Sequence, residues 1–166
     1  MITVDVDVAE PAWHETGPIE EWCRRAVEAA IAVAAPHLFR WRVEVSLLLA
    51  DDETVARLNR DWRGKPEPTD VLSFPAGAPS AGAAPEADLP WLLGDLALAH
   101  GVVTRAAAAH GRPVAHHLAH LVVHGVLHLL GHDHEDEDEA RTMAALETAA
   151  LARLGMPDPH RAAADA

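Results

Sequence analysis

The chain has 166 residues, of which 49% are apolar, and its formal net charge is −13 when the twelve histidines are counted as neutral. This length and apolar content suit one domain with one hydrophobic core. The single cysteine, Cys23, excludes an intrachain disulfide framework and a cysteine-based zinc cluster. The acidic balance argues against non-specific coating of nucleic acid, because phosphate binding needs clustered Lys and Arg.

The start of the chain lacks the basic residues and the long apolar run of a signal peptide. No stretch reaches the roughly 18 uninterrupted apolar residues that a membrane helix needs. We therefore expect a cytoplasmic protein whose partners include neither a membrane nor DNA.

Strand and helix patterns alternate through the first half of the chain. Apolar residues at every second position predict strands over 2–8 and 42–49. Apolar residues at helical spacing predict helices over 19–33 and 52–62. The order is β-α-β-α.

The second half begins with strand patterns and ends with helix patterns. Two strands are predicted over 69–75 and 91–99, with a surface loop rich in Ala, Pro and Gly over 76–90 between them. Helices are predicted over 104–110, 113–130 and 136–154, each closed by a glycine.

A histidine cluster carries the chemistry. His124 and His128 are one helical turn apart, so both imidazoles can reach one cation. Gly131 can adopt a left-handed conformation that ends the helix and lets His134 return toward the same point. Three neutral imidazoles leave a fourth tetrahedral position for water, which is typical of a catalytic zinc site.

The spacing His-x3-His-x2-Gly-x2-His is that of the metzincin peptidases, with one departure. Gly125 stands where those enzymes carry the glutamate that acts as general base. Peptidase chemistry without that glutamate lacks its proton acceptor. His120 lies one turn before His124 and could approach the site, although a satisfied or exposed histidine is the simpler interpretation.

Three blocks of the chain resemble the YbeY family of endoribonucleases and rRNA maturation factors. Residues 58–75 resemble the family's LNxxxRxxxxPTDVLSFP block, and residues 93–96 resemble its LGDI strand. Residues 124–135 resemble the signature HGxLHLxGxDHE, with Met143 and Glu147 at familiar positions downstream.

The resemblance implies an α/β (α+β) fold in which helices pack on a small mixed sheet, with a metzincin-like metal-binding helix. We expect one YbeY-like domain over residues 1–155, followed by a flexible tail over 156–166. The resemblance also implies a single-strand-directed endoribonuclease with one Zn²⁺ ion per chain, held by His124, His128 and His134. The expected substrate is ribosomal RNA, notably the 3′ end of small-subunit rRNA, and a role in ribosome quality control is expected as well. Ribosomal proteins or a ribosome-associated GTPase are the expected protein partners.

The candidate catalytic residues are Arg63, Asp133 and the metal ligand His124. Arg63 occupies the family's arginine position, and its guanidinium can bind two phosphate oxygens at once. Asp133 could accept a proton or orient a ligand histidine. Trp62 and Phe74 could stack a base, but packing in the core is the favoured interpretation for both.

Two alternatives stay open at this point. The histidine spacing also suits a zinc peptidase or a hydrolase of small substrates, against which Gly125 counts. A ribosome-assembly binding factor with a structural zinc is the other alternative, and the net charge of −13 favours protein partners with basic surfaces.

Overall fold

A computed structural model of the chain describes residues 1–63, 71–76 and 89–160, except for the side chain of Arg63. In chain order, the elements are strand β1 (Ile2–Val8), helices α1 (Ala12–Thr16) and α2 (Ile19–Ala34), a 3-10 turn (Pro36–Arg40), strand β2 (Val43–Ala50), helix α3 (Asp52–Arg63), strands β3 (Val71–Pro75) and β4 (Trp91–Ala99), and helices α4 (His100–Ala109), α5 (Val114–Leu129) and α6 (Glu137–Arg153).

The four strands form one mixed sheet in the order β1-β2-β4-β3. Strands β1, β2 and β4 are parallel, and β3 pairs antiparallel with β4 at one edge. Helix α2 connects β1 to β2, as a parallel pair requires a long crossover. The predicted α/β fold with a small mixed sheet packed by helices is confirmed.

The two faces of the sheet are covered differently, and strand alternation explains how. Residues such as Val45, Leu47 and Leu96 point into the main core, which α2, α5 and α6 cover. The intervening residues, such as Leu72 and Ala97, point the other way into a smaller cluster under α3. The histidine-bearing helix and α3 therefore lie on opposite faces of the sheet.

Most predicted elements are present, and the differences have local causes. The short helix α1 and the 3-10 turn were not predicted, because segments of five residues show too little periodicity to be detected. Helix α4 begins at His100, directly after β4, rather than at residue 104. Most of the predicted loop over 76–90 and the first two residues of the predicted strand over 69–75 lie outside the described residues.

One packing expectation is wrong. The side chain of Trp62 is 72% exposed, and it meets Phe74 edge to face with ring centroids 6.2 Å apart. Phe74 packs against the smaller cluster as expected. Trp62 is one residue from the end of α3, where no further element covers its ring among the described residues, so most of the ring outside the contact with Phe74 is exposed to solvent.

No helix among residues 1–63, 71–76 and 89–160 combines the length and hydropathy needed to cross a bilayer. Met156 packs against the main core, and residues 157–160 follow it. The predicted boundary between a domain at residues 1–155 and a flexible tail stays a prediction.

Candidate metal site

Helix α5 presents His120, His124 and His128 on one face, because these histidines are four residues apart. The Nε2 atoms of His124 and His128 are 3.0 Å apart. His134, which follows the helix, places its ring centroid 5.6 Å from that of His124 and 5.4 Å from that of His128. One nitrogen from each of the three rings lies within 4.8 Å of the other two. The structure thus brings together the three predicted ligands, which we call the histidine triad.

The turn at Gly131 makes this convergence possible. Gly131 has φ +96°, the left-handed region that favours glycine, as predicted. Its N–H donates to the carbonyl of His128 at 3.0 Å, and the N–H of His132 donates to that of Leu127 at 2.9 Å. This pair of bonds is a Schellman motif, which ends the helix and reverses the chain. His134 is thereby carried back toward α5.

Glu147 on α6 orients the first histidine of the triad. Its Oε2 lies 2.5 Å from Nδ1 of His124. An ionised carboxylate only accepts hydrogen bonds, so Nδ1 is the donor, and Nε2 of the neutral ring keeps a free lone pair. That lone pair faces Nε2 of His128, and two such nitrogens at 3.0 Å need a proton or a cation between them. The donor set therefore fits a metal ion.

Burial and neighbouring charges favour the protonation states that such a site needs. Burial lowers the pKa of His128, and the proximity of His124 and His134 lowers it further, so the metal-binding neutral ring is favoured. Burial by itself would raise the pKa of Glu147. Hydrogen bonds from His120 and His124 outweigh that effect and hold the pKa of Glu147 below its usual range.

The side chains of Asp133 and Asp136 accept hydrogen bonds from backbone N–H groups beside the triad. Oδ1 of Asp133 accepts a hydrogen bond from the N–H of His134 at 2.8 Å. Oδ1 of Asp136 accepts one from the N–H of Glu139 at 2.8 Å and so caps α6. Asp133 thus holds the turn that carries His134, and its role as proton acceptor stays a prediction.

Gly125 faces the sheet rather than the triad. A Cβ at this position would stand 2.7 Å from a methyl carbon of Leu96 and 3.3 Å from the hydroxyl oxygen of Ser73. That hydroxyl donates to the carbonyl of Gly125 at 3.4 Å. The close approach of α5 to β3 and β4 therefore leaves no room for the glutamate that a metzincin carries here.

Arg63, the expected phosphate-binding residue, is the last residue of α3, and its side chain lies outside the described residues. The rest of α3 packs on the sheet face away from α5. The role of Arg63 stays a prediction.

A groove of about 620 Å³ lies on the α3 side of the sheet. Its lining includes three aspartates, Asp5, Asp7 and Asp95, together with Leu58, Trp62 and Phe74. The carboxylates would repel phosphate, so this groove suits a cationic or apolar partner better than RNA.

The sequence interpretation gave Glu147 no role and set His120 aside. Glu147 is 3% exposed and sits in the buried face of α6 with Met143, Ala150 and Leu151. A carboxylate inside an apolar helical face indicates from the sequence that the side chain has a buried partner, because buried acids are normally paired. The link to His124 still required the packing of α6 against α5.

The fold and the triad define a class of protein: an α/β protein with a three-histidine site carried by a helix and the turn that follows it. A family model described as Endoribonuclease YbeY matches residues 12–155. Endoribonuclease YbeY of Paramagnetospirillum magneticum is 51% identical over 160 residues, covering 96% of each chain. The protein of the same name from Novosphingobium aromaticivorans is 47% identical over 163 residues, covering 96% of this chain and 95% of the relative. The chain belongs to the endoribonuclease YbeY family.

A solved structure shares the fold. The solution structure of TM1509 from Thermotoga maritima covers 97% of this chain and 99% of its own, with a TM-score of 0.56 and 22% sequence identity. At that identity the likeness supports the architecture alone.

Proposed function

We propose that this protein is a zinc-dependent endoribonuclease that cleaves single-stranded ribosomal RNA. Membership of a family whose relatives are named Endoribonuclease YbeY supports the reaction. The convergence of His124, His128 and His134, with Glu147 fixing the tautomer of His124, is the observation that carries the metal requirement. We propose the 3′ end of small-subunit rRNA as the processing target and ribosome quality control as a second role. The cytoplasm, where rRNA is processed, is the proposed compartment.

The triad would hold one zinc ion, which supplies a Lewis acid for a phosphoryl oxygen and lowers the pKa of a nearby water molecule. The protein contributes the geometry. Glu147 fixes the orientation of His124, and the Gly131 turn brings His134 into range. Asp133 steadies that turn through the N–H of His134. Asp133 is also the residue that we propose as the proton acceptor, because its carboxylate lies next to His134 of the triad.

Gly125 supports cleavage of RNA over cleavage of peptides. A peptidase with this histidine spacing needs a carboxylate beside its metal. Position 125 is closed by Leu96 and Ser73 instead. A phosphodiester presents a negative charge in the ground state, so a cation such as Arg63 is the complementary group that we propose for the substrate.

The test is metal-dependent cleavage of end-labelled single-stranded RNA. Wild type should cut internally and lose activity with a chelator, whereas His128→Ala should be inactive and should have lost zinc from the triad. His116→Ala is the matched control, because it removes a histidine of α5 that lies outside the triad. Cleavage by His128→Ala purified in the same way would reveal a contaminating nuclease and remove the proposal's support.

Arg63 has its own test. We expect Arg63→Ala to reduce cleavage roughly 10- to 100-fold, the range expected for one charge-assisted hydrogen bond, while zinc stays bound. Arg141→Ala, which removes an exposed arginine paired with Asp138 on α6, should leave cleavage unchanged. Equal cleavage by the Arg63 and Arg141 variants would exclude Arg63 from phosphate binding.

A second candidate function is supported by the acidic groove. Asp5, Asp7 and Asp95 beside exposed Trp62 suit a basic protein segment, which fits the proposed ribosomal-protein or ribosome-associated GTPase partners. If binding is the main activity, Asp5→Asn with Asp7→Asn should weaken ribosome association without changing RNA cleavage. If cleavage is the main activity, His128→Ala should abolish rRNA maturation in cells while ribosome association persists.

A further inference from the structure

A second group of metal-binding side chains lies beside the triad. His120 of α5, Glu147 of α6 and His160 after α6 each offer one ligand atom, and these atoms lie within 4.8 Å of one another. Oε1 of Glu147 is 3.2 Å from Nε2 of His120 and 2.8 Å from Nε2 of His160. Neither histidine belongs to the triad.

Residues 158–160, the segment that carries His160, are held by hydrogen bonds. The hydroxyl of Thr148 donates to Oδ1 of Asp158 at 3.2 Å, and the N–H of His160 donates to the same oxygen at 2.9 Å. The guanidinium of Arg112 donates to the carbonyl of Pro159. Two contacts to separate elements, from Thr148 and Arg112, and one bond within the segment therefore hold the imidazole of His160 against Glu147.

The two oxygens of Glu147 serve different neighbours. Oε2 accepts from His124 of the triad, whereas Oε1 faces His120 and His160. Glu147 is 3% exposed, and buried carboxylates are normally paired or bound to a metal ion. Oε1 is therefore positioned to share a divalent cation with His120 and His160.

The donor set and its spacing suit zinc. Two imidazoles and one carboxylate are a common zinc ligand set, and ligand bonds of about 2.0–2.1 Å place neighbouring ligand atoms of a tetrahedral ion roughly 3.4 Å apart. The separations of 3.2 Å and 2.8 Å at Glu147, and the 3.0 Å between the two Nε2 atoms of the triad, are somewhat shorter than that value. A small movement of the rings would admit an ion.

We propose that His120, Glu147 and His160 form a second zinc-class metal site, linked to the triad through the shared carboxylate of Glu147. The proposed nuclease activity requires one ion, so this site adds a second ion per chain. The side chain of His160 is 42% exposed, which opens the site to solvent and makes it the weaker of the two. Filling it withdraws electron density from the carboxylate that holds His124, so the second ion tunes the first.

The experiment titrates metal-free full-length protein with Zn²⁺ alone by calorimetry and checks the bound metal by elemental analysis. We expect two equivalents for wild type, with the second binding at least about tenfold more weakly. His160→Ala and His160→Gln should each bind one equivalent. The glutamine variant is decisive, because its amide can still donate to Glu147 but is a poor zinc ligand.

His128→Ala should also bind one equivalent, now at the second site, and His128→Ala combined with His160→Gln should bind none. His110→Ala, which removes an exposed histidine outside both groups, should still bind two. One equivalent for wild type, or two for His160→Gln, would overturn the second site and leave a hydrogen-bonded network that only positions His124. Two equivalents without any RNA cleavage would support the second site while contradicting the nuclease proposal.

Discussion

Oε2 of Glu147 accepts a hydrogen bond of 2.5 Å from Nδ1 of His124, joining a buried acid of α6 to the histidine triad of α5. A carboxylate behind a metal-binding histidine fixes the ring and raises its basicity. We therefore expect Glu147 to position His124, a function that the burial of Glu147 alone does not reveal. This function can be measured directly.

Glu147→Gln should weaken zinc binding at the triad about 10- to 100-fold, because the amide no longer carries the charge that supports His124. The affinity is measured by chelator competition in the His160→Ala background, so that only the triad is titrated. Glu139→Gln, at an exposed position on the same helix, is the control and should leave the affinity unchanged. Equal affinities in the two variants would contradict the positioning role.

Gly125→Glu should fail to create a peptidase and should destabilise the fold by about 3 kcal/mol or more. The new side chain would be forced against Leu96 and Ser73, and its charge would be buried without a partner. Urea unfolding measures the loss, with Ala108→Glu on an exposed position of α4 as the control. Peptide hydrolysis by a stable Gly125→Glu protein would show that position 125 faces the metal after all.

Cys23 should be unreactive in the folded protein. Burial raises the pKa of its thiol to about 12, and Glu20 adds to the effect, so almost no thiolate forms near neutrality. Ellman's reagent at about pH 8 should label Cys23 only after denaturation. Because the folded pKa lies above the ordinary 9.0, the thiol's contribution to stability is complete below pH 9.0 and declines as the pH rises toward 12. Rapid labelling of the native protein would contradict the buried position.

Two tryptophans should differ sharply in their contribution to stability. Trp13 is fully buried, and its Nε1 donates to the carbonyl of Ala50 at 3.1 Å, so Trp13→Ala should cost about 3–5 kcal/mol. Trp62 is 72% exposed, so Trp62→Ala should cost less than about 1 kcal/mol. The comparison is made by urea unfolding, and a large loss in the Trp62 variant would place that ring in the core.

Local patterns in the sequence were enough to predict several parts of the site. His124 and His128 are four residues apart, which placed both rings on one face of the helix. Gly131 predicted the left-handed turn that brings His134 back toward that face. Alternation of apolar residues predicted the strands over 2–8 and 42–49, which the structure contains as β1 and β2. These features depend on residues within about ten positions of each other, where backbone geometry fixes relative direction.

The tertiary structure decided the rest, because the contacts join residues distant in the chain. The pairing of Glu147 with His124, the arrival of His160 at the same carboxylate, and the exposure of Trp62 all depend on how separate elements pack. Gly125 shows the difference most clearly. Its identity in the sequence indicated a missing base, whereas the packing of α5 on Leu96 and Ser73 showed that a larger side chain there would force its neighbours to move. Periodicity determines the face that a residue occupies on its own helix, and only the packed fold determines what that face meets.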